Sequence, residues 1–158
     1  MGTVLNLETG KSELTSIQNP TICKFEETHR KGVISLWERC DMTRPWNDPD
    51  KDIDRKLTDR NGGFFVVIEK DAVIGSVMVS YDGHRGSIYY LSVDPGCQGK
   101  GLGKLLMKHC EEFLLELGCP KINLFVRQGN EAVMEFYQQL GFSPEAAVPL
   151  GKRLIPDI

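Results

Sequence analysis

Three glycines and two lysines crowd into C-Q-G-K-G-L-G-K, residues 97–104, between an apolar run and a long amphipathic pattern. A helix start leaves its first backbone N–H groups unpaired and carries partial positive charge, so glycines just ahead of it let an anion reach those donors. Diphosphate is the ligand such a loop suits, although glycines there also make a tight strand-to-helix turn with no ligand at all. Two common phosphate loops fail letter by letter. A P-loop needs Ser or Thr after its Gly-Lys and a Gly five positions before it; Gly103-Lys104 is followed by Leu105 and preceded at that distance by Gln98. The dinucleotide pattern G-x-G-x-x-G meets Lys104 or Leu106 where its third glycine belongs. Lys100 and Lys104 add positive charge beside the loop, or are simply solvated lysines at a helix start. Cys97 has a setting that lowers a thiol pKa, and reads equally as an incidental loop thiol.

The loop must be held by a strand before it and a helix after it. S-I-Y-Y-L-S-V (87–93) supplies the strand, and Leu102, Leu105, Leu106, Cys110, Phe113, Leu114 and Leu117 form a helical stripe that Gly118 and Pro120 end. K-I-N-L-F-V (121–126) reads as a strand parallel to the first, joined to it by a right-handed crossover. Asn130 then caps a helix whose buried face is Val133, Phe136, Tyr137 and Leu140. Upstream, T-I-C-K-F (21–25) is a first strand and Val33, Leu36, Trp37 and Cys40 mark a helix. A loop rich in Pro, Asn and Asp leads to a short helix carrying Ile53 and Leu57. F-F-V-V-I-E (64–69) and V-I-G-S-V-M-V-S-Y (73–81) form a hairpin, which the turn D-G-H-R-G extends into a meander. The tail after Gly141 has room for one or two further strands.

A chain of 158 residues with 41% hydrophobic and 26% charged residues is one globular domain. Residues 1–18 read as a flexible lead-in and 19–158 as the domain. Nineteen Lys and Arg against 22 acids, a net charge of −3, argue against nucleic acid as the main partner. No window is apolar enough to span a bilayer, so no membrane role is expected. Five cysteines without a C-x-x-C pair signal neither a disulfide framework nor a metal site and fit a reducing cytoplasm.

Gln98, Gly101 and Gly103 complete Q-x-x-G-x-G, and N-E-A-V-M-E-F-Y-Q-Q-L-G-F (130–142) follows at a matching distance. Together they resemble the acyl-CoA loop and the later helix motif of the GNAT (Gcn5-related N-acetyltransferase) superfamily, over residues 20–155. More narrowly, L-W-E-R-C-D, R-P-W-N-D-P, Y-D-G-H-R-G-S, G-C-P-K-I and L-G-K-R-L-I are similar to the YpeA-type acetyltransferases of bacteria. The resemblance implies an α/β (α+β) fold. Its mixed central sheet has about six or seven strands, an antiparallel N-terminal meander and a splayed parallel pair, with about four flanking helices. It also implies an acetyl-CoA-dependent N-acetyltransferase that acts without a metal, and a homodimer is a family-level expectation.

Carried onto this chain, the resemblance assigns the pantetheine arm to the backbone of Leu91 and Val93. It assigns the diphosphate to the amides from Gln98 through Gly99, Lys100, Gly101 and Gly103 to Lys104. Asn130 touches the pantetheine or only caps its helix. Tyr137 matches the general acid that meets the departing thiolate; at ordinary pKa values full proton transfer would cost roughly 2 kcal/mol, so a hydrogen bond describes it better. From its spacing alone Tyr137 is a core residue. The base is open: the family's usual strand positions hold Ser87 and Tyr89, and Phe125 stands where protein N-terminal acetyltransferases carry Glu. Asp82 and His84 are candidates, though a hairpin turn favours both types structurally. Trp46 could wall the acceptor, with Arg44, Asp48 or Asp50 reading its charge, or pack as a lid. The acceptor is a primary amine of a small molecule or peptide, attacking directly. The competing reading is a non-catalytic acyl-CoA-binding module of the same fold.

Overall fold

Phe64 and Val66 point to one side of a strand, Phe65 and Val67 to the other, and all four are buried. The sheet that holds them must therefore be covered on both faces. The computed structural model describes residues 20–157, so the expected lead-in over 1–18 lies outside the described residues. Its single sheet runs in the order β1 (Thr21–Lys24), β2 (Gly63–Glu69), β3 (Ala72–Tyr81), β4 (Gly86–Val93), β5 (Ile122–Asn123). The first four strands are antiparallel and β5 is parallel to β4. The helices are α1 (Arg30–Arg39), α2 (Pro49–Leu57), α3 (Leu102–Glu116) and α4 (Glu131–Gln139).

Helices α1 and α2 cover one face, where Val33, Leu36, Trp37 and Ile53 pack on Phe64, Val66 and Met78. On the other face Leu106, Met107, Cys110 and Leu114 of α3 and Tyr137 of α4 pack on Phe65, Val67, Val77 and Val79. Local chemistry places the boundaries. Asp48 accepts from the N–H groups of Asp50 and Lys51, and Pro49 takes the first position of α2. Lys70 and Asp71, both left-handed at φ 48° and 64°, make the two-residue turn between β2 and β3. Leu57, expected on the buried face of α2, ends that helix half-exposed.

Five strands form among the described residues, fewer than the six or seven expected. The expected strands of the tail are missing. Pro144, Pro149, Gly151 and Pro156 interrupt any ladder there. Val148, Leu150 and Leu154 stay exposed. The segment is held by polar contacts instead: Glu145 to Lys121 at 2.8 Å, and Arg153 to the Asn47 side chain at 2.8 Å. Strand β5 is also shorter than the expected 121–126. It pairs only as Gly86↔Ile122 and Ser87↔Asn123 before the two parallel strands part.

Candidate active site

The parting has a local cause in β4. Ser76 of β3 faces Ser92 and Met78 faces Tyr89, so one β3 residue lies opposite both Tyr90 and Leu91, which is a β-bulge. Tyr90 sits there at φ 52°, a left-handed conformation uncommon for an aromatic residue. A buried polar knot holds it. The Trp37 indole N–H donates to Ser76 Oγ at 2.9 Å, Ser76 Oγ donates to the Tyr90 carbonyl at 3.0 Å, and Ser76 and Ser92 share a 2.7 Å bond. The Tyr90 ring stacks on Trp37 with centroids 3.8 Å apart, and its hydroxyl donates to Asp52 Oδ2 at 2.6 Å. Burial, then Asp52, hold that phenol well above its ordinary pKa.

Beyond the bulge the open side of β4 faces a cleft of about 800 Å³. Leu91 and Val93 line it from β4, and Phe125, Asn130 and Tyr137 line it from the other side. Gln98 lines it too, donating from Nε2 to the Val93 carbonyl at 3.2 Å and so folding the glycine loop back on the strand. Asp94 pins the start of the loop: it accepts from the Gly96 N–H and from Arg39 Nη2 and Nε at 2.7 and 3.0 Å, bonds that lower its carboxyl pKa.

The glycines serve two separate purposes. Gly99 and Gly101 have φ of 78° and 81°, and a Cβ on either would meet only open space. Their lack of a side chain is a backbone requirement. Gly101 opens α3 with no side chain capping the helix. Gly103 is different: a Cβ there would lie 3.1 Å from Phe136 Cζ, so its smallness seats α3 against α4. Lys100 and Lys104 are exposed beside the loop. Burial and the charge of Asp94 raise the Cys97 thiol, against the lowered pKa that its place near a helix start suggests.

Asn130 caps α4, accepting from the Val133 N–H at 3.3 Å, and also lines the cleft. Tyr137 is 8% exposed, with its ring edge-on to Phe136 and Phe142. Its hydroxyl makes no hydrogen bond among the described residues. Burial, aided by Cys110, pushes it up to about 12.

Several expected acceptor residues fall elsewhere. Asp82 Oδ1 accepts from the N–H groups of His84 and Arg85, both at 2.7 Å, which lowers the Asp82 pKa. Asp82 and His84 therefore build the β3–β4 turn, and neither lines the cleft. Trp46 is half-exposed under the Arg127 guanidinium, 6.0 Å from the ring centroid, and is not a lining residue. Asp48 caps α2 and Asp50 pairs with Arg30 at 3.3 Å. Arg44 and Tyr89 do line the cleft.

The residues that the sequence left unmarked are Asp52, Arg55, Lys56 and Asp59, which bring the polar side of α2 and its following turn to the cleft. Arg55 binds Asp157 at 2.7 Å, and the Asp48 N–H reaches the same carboxylate at 2.8 Å. These bonds hold the Asp157 carboxyl down at about 2. A depressed carboxyl stabilises the fold above the ordinary carboxylate range and stops doing so as pH falls through its own pKa. The Asp157 carboxyl carbon followed by NMR is therefore expected to stay ionised at pH 4 and to titrate near 2; an ordinary midpoint would mean that the contact is not made.

A mixed sheet split between two parallel strands, with an uncapped helix start at the mouth of the split, is the arrangement that the sequence resemblance implies. The family model described as the Acetyltransferase (GNAT) family matches residues 32–142, and the chain belongs to that family. An acetyltransferase of Yersinia enterocolitica is 47% identical over 133 residues, covering 84% of this chain and 94% of the relative. Among solved structures, an acetyltransferase of Streptococcus agalactiae superposes with a TM-score of 0.73 at 20% identity, over 89% of this chain and 93% of that one. The aminoglycoside acetyltransferase AAC(6')-Iy, bound to a bisubstrate analogue of CoA, gives 0.72 at 18% identity, over 86% and 99%. Both likenesses speak to the fold.

Proposed function

We propose that this acetyltransferase moves the acetyl group of acetyl-CoA to a primary amine of a small molecule or peptide by direct attack. The observation that carries this reading is the Tyr137 hydroxyl, held protonated and, among the described residues, without a hydrogen-bond partner in the cleft between the parted strands. The chain fits the co-substrate on its own terms. The uncapped start of α3 behind Gly99 and Gly101 suits the diphosphate, with Lys100 and Lys104 beside it. Leu91 and Val93 offer strand backbone to the pantetheine, and Asn130 stands opposite. The thioester supplies an activated acyl group.

Direct attack is favoured over an acyl-enzyme because Cys40, a thiol that lines the cleft, donates to the Val93 carbonyl at 3.2 Å, and burial raises its pKa. A protonated, hydrogen-bonded thiol is a poor nucleophile. Tyr137 donates to the leaving sulfur, while an amine of lower pKa than lysine needs less help to reach its neutral form. Arg44, from the α1–α2 connection, and Tyr89 of β4 line the cleft and are the residues we assign to the acceptor.

Titration calorimetry with CoA and acetyl-CoA tests the binding half of the proposal. Both are expected to bind, and Gly101→Ala, which forces a Cβ into a left-handed position at about 1–2 kcal/mol, is expected to weaken them roughly tenfold. No uptake of either coenzyme would end the reading. Uptake with no turnover across an amine panel would leave a binding module.

A further inference from the structure

We propose that Asp52 is the group that captures the acceptor's amine as an ammonium, before one proton passes to solvent water and the neutral amine attacks; this rests on the amine-acetyltransferase reading above. Three carboxylates line the α1–α2 end of the cleft, Asp41, Asp52 and Asp59, and their surroundings separate them. Asp59 is engaged on both oxygens: Oδ2 takes Lys56 at 2.8 Å and Ser80 at 2.7 Å, and Oδ1 takes the Asn61 N–H at 3.2 Å. Asp41 is 97% exposed, where water screens its charge. Asp52 is largely enclosed, at 22% exposure, and each oxygen has one recorded donor: Tyr90 on Oδ2 at 2.6 Å and Arg55 on Oδ1 at 3.3 Å. An ionised carboxylate accepts about four hydrogen bonds, so this one is fixed in orientation with capacity to spare.

Its charge is only partly offset, by an arginine it shares with Asp157. Arg55 makes its short bond, 2.7 Å, to Asp157 and only the 3.3 Å one to Asp52. Lys56 directs its ammonium at Asp59, the Val79 carbonyl and Ser80, which takes all three of its N–H donors. Arg55 is thus divided between two carboxylates and Lys56 faces other partners, so Asp52, with one donor on each oxygen among the described residues, keeps acceptor capacity inside a partly enclosed cleft. A primary ammonium, with three N–H donors on one positive centre, matches that set; a quaternary ammonium has the charge without the donors. The hydroxyl of Tyr90 ties this anchor to the β4 bulge, so the amine is held on the element that opens the cleft.

The test uses the full-length protein saturated with CoA, titrated with n-butylammonium and with butyltrimethylammonium. The primary ammonium is expected to bind at least tenfold more tightly than the quaternary one, and its binding is expected to fade as pH rises through its own pKa. Asp52→Asn is expected to weaken it at least tenfold with CoA affinity unchanged, whereas Asp41→Asn stays within about twofold. The unaltered protein gives a readout free of any folding defect: the Asp52 carboxyl carbon resonance shifts on adding n-butylammonium. No shift and no n-butylammonium binding by the CoA-loaded protein, or equal binding by Asp52→Asn, overturns the assignment. A protein that fails to bind CoA sinks the underlying reading instead.

Discussion

Tyr137→Phe is expected to lower the rate of acetyl transfer by about 10²-fold or more, the usual contribution of a positioned proton donor. Coenzyme affinity and thermal stability should barely move. That combination separates catalysis from packing, because the hydroxyl has no hydrogen-bond partner among the described residues and Phe keeps the ring between Phe136 and Phe142. With the phenol near 12, giving its proton outright to a thiolate near 8.5 would cost about 5 kcal/mol. The side chain is therefore expected to stabilise the developing thiolate by a hydrogen bond. The rate should show no loss from Tyr137 ionisation below about pH 11. Unchanged turnover in the Phe variant, measured as thiol release from acetyl-CoA with any accepted amine, would remove Tyr137 from the reaction.

The second large effect is on the fold. Trp37→Ala is expected to cost about 3–5 kcal/mol in denaturant unfolding, a large share of the 5–15 kcal/mol that usually holds a domain. Trp37 is fully buried, and its loss removes both the surface on which Tyr90 stacks and the N–H that Ser76 accepts. Trp37→Phe divides these contributions: it keeps an aromatic ring but leaves Ser76 without its indole donor, at about 1–3 kcal/mol. If Trp37→Phe proved as stable as the parent, the indole N–H would have no part in holding the bulge.

These two residues show how far the sequence could be read. Trp37 and Tyr137 were both legible as buried positions, since each lies on an apolar stripe of helical period. The loop was legible in its glycines, although their spacing does not distinguish Gly101, set by backbone conformation, from Gly103, set by the neighbouring Phe136 ring. The bulge was not legible. Tyr89-Tyr90-Leu91 reads as uninterrupted strand, because the extra residue is declared only by pairing with β3 and by hydroxyls on Ser76 and Ser92, distant in sequence. Asp52 was hidden for a similar reason: on α2 it resembles any solvated acid, and only the fold brings Tyr90 to it. Asp82 and His84 show the opposite case, catalytic residue types in positions that the turn explains and that lie outside the cleft lining.

Gly103 also sets how closely two helices of the site approach. The helix proposed to receive the phosphates and the helix carrying the proposed acid meet where a bare backbone faces a ring one residue away from Tyr137. A side chain at position 103 would push the two helices apart, so Gly103→Ala is expected to disturb coenzyme binding and the placing of Tyr137 together.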